Sequence, residues 1–183
     1  WPFDKFVGAD KALGTRMKAT GEVMAVGCGF EDALLKAIRS LELGIDHICL
    51  DYLTKEDTEQ IVKRLENKTD ERLFVVAEAL RRGVPVDVIS EKTSIDSYFI
   101  NKIHGIIRFE KELKRTGIKG MDRAVLQRAK KMGLSDSAIA RLIGLSGSEV
   151  RKMRKKWGIK PVYRAMDTAY YSAYDGNSRV KSD

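Results

Sequence analysis

The sequence predicts a mainly α-helical domain that follows one short strand and one helix. Apolar residues recur at the helical period of 3.6 in successive segments between residues 30 and 157. Glycines, prolines and capping residues separate these segments. The run from Gly21 to Gly27, which is apolar in its middle, is typical of a strand, and His47–Leu50 is a weaker candidate. Since one strand is not stable alone, its sheet partners are expected elsewhere in a longer protein, and the missing initiator Met fits this expectation.

The helical periodicity predicts eight helices. Their expected order along the chain is 30–41, a segment around 61–65, 70–83, 86–93, 94–115, 122–132, 135–143 and 146–157. Thr54 with Asp57 resembles a capping box at the start of the second helix, and Ser146 with Glu149 resembles one at the start of the last. Thr69 or Asp70 is expected to cap the third helix.

The longest predicted helix, 94–115, carries the widest apolar stripe. Because successive residues turn by about 100° around a helix, the members of this stripe cannot all face one neighbour. Some of them should therefore meet a second surface, which is either another helix of this domain or a second copy of the chain. A twofold dimer is the commonest way to bury such a patch. The residues predicted for an oligomer interface are Phe99, Ile103, Ile106, Ile107 and Phe109.

The positive charge is concentrated in one segment. The chain carries a net charge of +8, and residues 114–160 contain fourteen basic and three acidic residues. This segment therefore carries +11, while the remainder of the chain carries −3. Such a segment suits nucleic acid, an acidic partner surface or solvent alone.

Residues 135–157 also match the plan of a DNA-binding helix-turn-helix, in which a turn containing Gly joins a short helix to a basic one. In this alternative, residues 146–157 read DNA, with Gly147, Ser148 and Arg151 near base edges. The side chains that would neutralise phosphates are Arg151, Lys152, Arg154, Lys155 and Lys156. The competing interpretation is an ordinary pair of capped helices with solvated cations.

The sequence contains few residues of the kinds that carry out chemistry. Cys28 and Cys49 are too few for a disulfide framework and are expected as buried, reduced thiols in a cytoplasmic protein. The two histidines lie far apart, and no Cys or His cluster surrounds either. The sequence has no glycine-rich phosphate loop and no convergent acid, base and nucleophile. We therefore expect no catalytic, cofactor-binding or metal-binding residue, no secretory signal and no membrane-spanning helix.

A series of longer motifs carries a family resemblance. Near the N-terminus these are Phe3-Asp4-Lys5-Phe6, Leu13 to Gly27 with Gly21-Glu22-Val23-Met24-Ala25-Val26-Gly27, and Phe30-Glu31 onward to Glu42. Later come Arg72-Leu73-Phe74 with Ala77 to Gly83, Ile95-Asp96 with Phe99, Lys130-Lys131 with Gly133, and Pro161-Val162-Tyr163-Arg164 with Asp167-Thr168. In this order, the motifs resemble the large chain of carbamoyl phosphate synthetase over essentially the whole sequence.

The resemblance implies a division into three parts. Residues 1–43 would close the first ATP-grasp unit, which forms carboxyphosphate. Residues 44–163 would be the helical oligomerisation domain, and residues 164–183 would lead to the second ATP-grasp unit. After Thr168 the family usually continues with a Cys-Ala-x-Glu-Phe-like stretch, and this sequence departs from the pattern because Ala169 follows at once.

The resemblance also implies a function. The parent would be an ATP-dependent ligase that makes carbamoyl phosphate from bicarbonate and glutamine-derived ammonia, for pyrimidine and arginine synthesis. No catalytic residue of the family maps onto this chain, so ATP, Mg²⁺ and K⁺ would bind elsewhere in the parent. The segment would connect the two synthetase halves and self-associate. Its partners would be the flanking ATP-grasp units and the glutaminase small chain, without a membrane or nucleic acid.

Overall fold

Eight α-helices form the architecture of the part of the chain that the structure describes, and they confirm the predicted mainly α-helical class. The computed structural model describes residues 8, 10–15, 18, 22–41 and 43–163. Within them, a 3₁₀ turn at Leu53–Lys55 precedes the second helix. The helices are α1 Phe30–Arg39, α2 Thr58–Arg64, α3 Arg72–Arg81, α4 Val86–Thr93, α5 Ser97–Thr116, α6 Arg123–Lys131, α7 Asp136–Ile143 and α8 Gly147–Lys156.

The strand predicted at 21–27 does not form in the described part of this run, residues 22–27. Gly21 lies outside the described residues. The pairing found here among the described residues is one isolated antiparallel bridge, between Ala12 and Thr69. Without a neighbouring strand, the backbone of 22–27 has no ladder to join. The run consequently exposes the apolar side chains Val23, Met24 and Val26.

Capping boxes fix the starts of α2 and α8. The predicted box of Ser146 and Glu149 is confirmed at the start of α8. At α2 the prediction was wrong in its partner, because Asp57 is itself the N-cap and forms a box with Gln60. The Gln60 N–H donates to the Asp57 carboxylate at 2.8 Å, and the Asp57 N–H donates to the Gln60 side chain at 3.0 Å. Thr54 instead lies in the 3₁₀ turn.

The third helix begins without a side-chain cap. Neither Thr69 nor Asp70 occupies the N-cap position, which belongs to Glu71, so the predicted cap was wrong. A backbone bond closes the first turn instead, since the Arg72 N–H donates to the Thr69 carbonyl at 3.1 Å. The helix that follows is buried over most of its length, so packing rather than capping stabilises it.

Helix α5 lies at the centre of the fold, as its apolar stripe predicts. It packs against α1, α3, α4 and α7, while α8 packs mainly on α7. The 20 residues of α5 are long enough to contact all four of these helices along its length. Its apolar residues in the core are Ile100, Ile103, Ile106, Ile107, Phe109 and Leu113.

A close contact between α1 and the loop after α6 requires a glycine. Gly133 has a φ of +95°, and a Cβ at this position would lie 2.9 Å from the Cα of Asp32. The Arg39 guanidinium, also on α1, donates to the Gly133 carbonyl at 2.6 Å. A left-handed backbone conformation and a nearby backbone atom therefore both exclude a side chain here.

We predict that Gly133→Ala lowers the free energy of unfolding by about 2–4 kcal/mol, because it adds a steric clash to left-handed backbone strain. The matched control is Gly158→Ala, where φ is +66° and nothing lies within 4 Å of the added Cβ. This control carries the strain alone and should lose about 1–2 kcal/mol. Urea unfolding followed by circular dichroism measures both values. Equal losses in the two variants would mean that α1 and the 133 loop do not approach as described.

A buried ion-pair cluster and the candidate oligomerisation surface

An ion-pair cluster lies between α3, α5 and the loop before the 3₁₀ turn. Glu110 of α5 receives two hydrogen bonds from the Arg81 guanidinium of α3, from Nε to Oε2 and from Nη2 to Oε1, both at 2.9 Å. The loop residue His47 shares a further hydrogen bond between its Nε2 and the Glu110 Oε1. His47 and Glu110 are both buried. Three elements far apart in sequence therefore meet at one carboxylate.

Arg81 and the next residue, Arg82, which caps the C-terminus of α3, also bind backbone carbonyls of the 48–54 segment. Arg81 Nη2 donates to the Ile48 carbonyl at 2.6 Å, and Arg82 Nη2 donates to the Leu53 carbonyl at 3.0 Å. Glu78, one turn earlier, accepts from Arg82 Nε at 2.9 Å and keeps that side chain oriented. These bonds fasten an irregular segment to the helical core, because its carbonyls would otherwise be buried without donors.

Electrostatics favour the charged form of this cluster. Burial alone would raise the pKa of Glu110, but the hydrogen bonds from His47 and Arg81 outweigh burial and lower that pKa to about 2. Burial would likewise lower the pKa of Arg81, and the bond to Glu110 raises it instead. The oxygens of the carboxylate are used within the protein. The cluster therefore stabilises the fold. Among the described residues, the buried His47 Nδ1 atom of this cluster has no hydrogen-bond partner.

A second polar cluster joins α7 and α8 to the rest of the fold. Asp46 accepts hydrogen bonds from Ser135, at 3.1 Å, and from Ser137 and Arg141. Burial tends to raise the pKa of Asp46, but the Ser137 hydrogen bond and the charge of Arg141 lower it overall. The start of α7 is thus tied to the loop that also carries His47.

The structure places the five predicted interface residues in two different environments. Four of them lie inside the domain's own core, each at most 4% exposed: Ile103, Ile106, Ile107 and Phe109. They are buried because the helices around α5 cover most of its circumference. Phe99 is 45% exposed and is the member of the set that a partner can reach without unfolding the domain. The interface itself remains a prediction, now centred on Phe99.

Phe99 belongs to an aromatic cluster, here called the Phe99 face, that consists of the exposed Tyr98 and Phe99 and the half-buried Phe30. The Phe99 ring centroid lies 5.5 Å from that of Phe30 and 5.3 Å from that of Tyr98. Tyr98 is 56% exposed, and the Lys102 ammonium lies 5.6 Å from its ring centroid. The ends of α1 and α5 thus present three rings side by side.

Sequence reasoning missed Phe30 and Tyr98 as parts of this surface. A usable signal was present, because consecutive aromatic residues in the first turn of a helix point about 100° apart and cannot both face the core. The contribution of Phe30 could not be found in this way. It depends on the packing of α1 beside α5, which the periodicity of either helix alone does not specify.

Helices α7 and α8 form the predicted pair, joined by a turn in which Gly144 has a φ of +74°. Of the side chains expected to neutralise phosphates, Arg154 points inward and binds Asp136 at 3.2 Å. The other four, Arg151, Lys152, Lys155 and Lys156, are exposed. Glu149 stands near the N-terminus of α8, where the DNA-binding hypothesis required contact with bases. Nothing in this arrangement favours that hypothesis over the packing unit.

The described residues contain no group of three His, Cys, Asp or Glu side chains that could hold a metal ion. Both cysteines are free thiols, but the prediction that both are buried was wrong, because Cys28 is exposed and Cys49 is half-buried. Burial raises the pKa of the Cys49 thiol, so it stays protonated at neutral pH. Among the described helices, none combines the length and the hydropathy needed to cross a bilayer.

Comparison with known families identifies the family to which most of the described chain is similar. The model of the family described as carbamoyl-phosphate synthetase large chain, oligomerisation domain, matches residues 22–158. The match extends over well more than half of the chain and includes all eight helices. The match begins before α1. It therefore also includes residues 22–43, which the family resemblance implied to be the end of an ATP-grasp unit.

We predict that Glu110→Gln lowers the free energy of unfolding by about 3 kcal/mol at pH 7, because it removes the main partner of the largely buried Arg81 charge, whose remaining ion pair with Glu78 is longer, at 3.4 Å. Glu112→Gln is the matched control on the same helix. Its ion pair with Arg128 is solvent-exposed and should contribute less than about 1 kcal/mol. Urea unfolding of both variants measures the difference. Equal small losses would mean that the cluster does not depend on its carboxylate.

The same variant tests a pH dependence. The folded-state pKa of Glu110, about 2, lies below its ordinary value of 4.5, so its stabilisation is complete above about pH 4.5 and is lost as the pH falls toward 2. Between pH 5 and pH 3 the wild type should lose about 2 kcal/mol more unfolding free energy than Glu110→Gln. Urea titrations at the two pH values measure this. A parallel decline in both proteins would contradict the assignment.

Proposed function

Because the chain belongs to the family of the carbamoyl-phosphate synthetase large-chain oligomerisation domain, we propose that it is a non-catalytic module that self-associates and connects neighbouring units. The parent enzyme would be an ATP-dependent ligase that uses glutamine to make carbamoyl phosphate. Its product would serve pyrimidine and arginine synthesis in the cytoplasm. The proposal is supported by the family match and by the two polar clusters, around Glu110 and Asp46, whose charged side chains bond to other groups of the same domain.

The observation that carries self-association is the Phe99 face. Aromatic side chains bury about 150–250 Å² each, so covering these rings removes a large apolar area from water. Phe99 and Tyr98 are exposed, whereas the other large apolar side chains of α5 lie in the core, so the exposed apolar area of this helix is confined to its first turn. A twofold axis would bring the same face of two copies together, since an isologous interface uses one surface twice.

The connecting role rests on the position of the helical module within the family's large chain. We infer that flanking ATP-grasp units are its partners in the same chain and that the glutaminase small chain is a partner in the complete enzyme. The exposed apolar run 22–26 supports a contact with an upstream unit, because a neighbouring sheet would cover it. ATP, Mg²⁺ and K⁺ would bind in the other units of the parent.

We predict that Phe99→Glu shifts the chain from dimer to monomer, because two carboxylates would be buried against an aromatic surface. Sedimentation velocity of the wild type at tens of micromolar should show a species near twice 20.6 kDa. Ile118→Glu is the control, since Ile118 is 51% exposed in the loop after α5. The control should remain a dimer. A monomeric wild type, or a dimer in Phe99→Glu, would contradict the assignment of the interface.

We predict that the chain binds no MgATP with micromolar affinity. A nucleotide-binding site needs a concave pocket that surrounds the phosphates. The four exposed basic side chains of α8 lie on the convex outer face of a helix, so they do not form such a pocket. Isothermal titration calorimetry of the folded chain with MgATP measures this. A micromolar dissociation constant would contradict the non-catalytic proposal, whatever the oligomeric state.

A further inference from the structure

Four cations line the outer face of α8. Arg151, Lys152, Lys155 and Lys156 are all exposed, and none of them forms an ion pair within the described residues. We call these four residues the basic strip. At about 100° per residue they cover about 140° of the helix circumference. At 1.5 Å per residue they extend over about 8 Å of its length.

The opposite face of α8 is anchored, so the strip is held in a fixed orientation. Val150 is buried against α7, and Met153 and Trp157 pack against the core. Arg154 binds Asp136 at 3.2 Å and donates to the Ile159 carbonyl at 3.2 Å. One cation of this helix is therefore used internally, and the four that remain point away from the protein.

The residues around the basic strip do not suit the binding of a DNA duplex. A helix-turn-helix contacts DNA with the N-terminal part of its second helix, while its first helix reaches the phosphate backbone. Here Glu149 lies in the first turn of α8, where the hydrogen bonds from Ser146 and then the charge of Lys152 lower its pKa and keep it ionised. This carboxylate repels phosphate at the position that would enter the groove.

The first helix of the pair offers no free cation either. Arg141 of α7 is paired with Asp46, and Lys130, which precedes α7, is paired with Asp136 at 2.9 Å. Within the α7–α8 pair, the positive charge without an ion pair thus occupies one narrow face in the C-terminal part of α8. Within this face Arg151 and Lys155, and likewise Lys152 and Lys156, lie one turn apart.

We propose that the basic strip is the docking site for an acidic protein segment that presents carboxylates about one helical turn apart. Two rows of cations with one-turn spacing match such a segment better than they match the two strands of a duplex. Complementary charges of this kind raise the association rate and select the partner more than they add affinity, so the contact should be weak and sensitive to salt. The site is separate from the Phe99 face and does not depend on it.

The test measures fluorescence anisotropy of a labelled oligo-glutamate peptide and of a random-sequence DNA duplex of the same total charge, at low salt. The strip variant is Lys152→Glu with Lys156→Glu. The matched control is Lys114→Glu with Arg115→Glu, which makes the same change of net charge at exposed positions in the last turn of α5. Both pairs lie near a helix C-terminus, so the loss of favourable helix-dipole interactions is similar.

We expect the peptide dissociation constant to rise about tenfold or more in the strip variant and about twofold or less in the control. Added salt should weaken wild-type binding, and the duplex should bind less tightly than the peptide. Equal losses in both variants would show that only net charge matters. Tighter binding of the duplex through the strip, or no peptide binding at low salt, would also overturn the proposal. If the substitutions to Glu unfold the chain, substitutions to Gln at the same four positions are tested instead, and the same criteria apply.

Discussion

The fold depends on the pairing of the buried Glu110 carboxylate with the Arg81 guanidinium, whose side chain is 15% exposed. A buried guanidinium or carboxylate is costly unless it is paired, so these two side chains can be accommodated only when α3 and α5 adopt one relative position. The same guanidinium binds the Ile48 carbonyl, and the same carboxylate binds His47. The irregular segment before the 3₁₀ turn is thereby held against both helices. Few alternative packings of α3 and α5 would satisfy this geometry, so the pair helps to select one relative position of the two helices.

The central position that this cluster gives to α5 decides which residues can act as surfaces. Neighbouring helices cover four of the five residues for which an interface was predicted, and the exposed large apolar side chains of α5 lie in its first turn. Phe99 and Tyr98 are exposed there, beside Phe30 from α1. The candidate interface therefore consists of the aromatic side chains at the edge of the core, which the neighbouring helices do not fully cover. An apolar stripe by itself does not distinguish a core from an interface, since both exclude water.

Periodicity and caps predicted the helices because both are local properties of the chain. The helix 94–115 and the capping box at Ser146 could be recognised from residues a few positions apart. The strand at 21–27 was predicted from its own residues, but a strand forms only with a partner, which the described chain does not supply. Nothing local indicates that His47 meets Glu110, 63 positions later. The buried cluster and the Phe99 face both depend on such long-range packing, which is why the sequence alone did not reveal them.

The two candidate surfaces are governed by different physical effects. At the Phe99 face the driving force is removal of aromatic area from water, which ordinary salt concentrations do not weaken. At the basic strip it is attraction between exposed charges, which salt screens within about 10 Å at 0.1 M. Because the strip lies on α8, which contacts mainly α7, and the face lies on α1 and α5, they also belong to different packing units. One domain can therefore associate with its own copy through an apolar contact while it engages an acidic partner through a separate, salt-sensitive one.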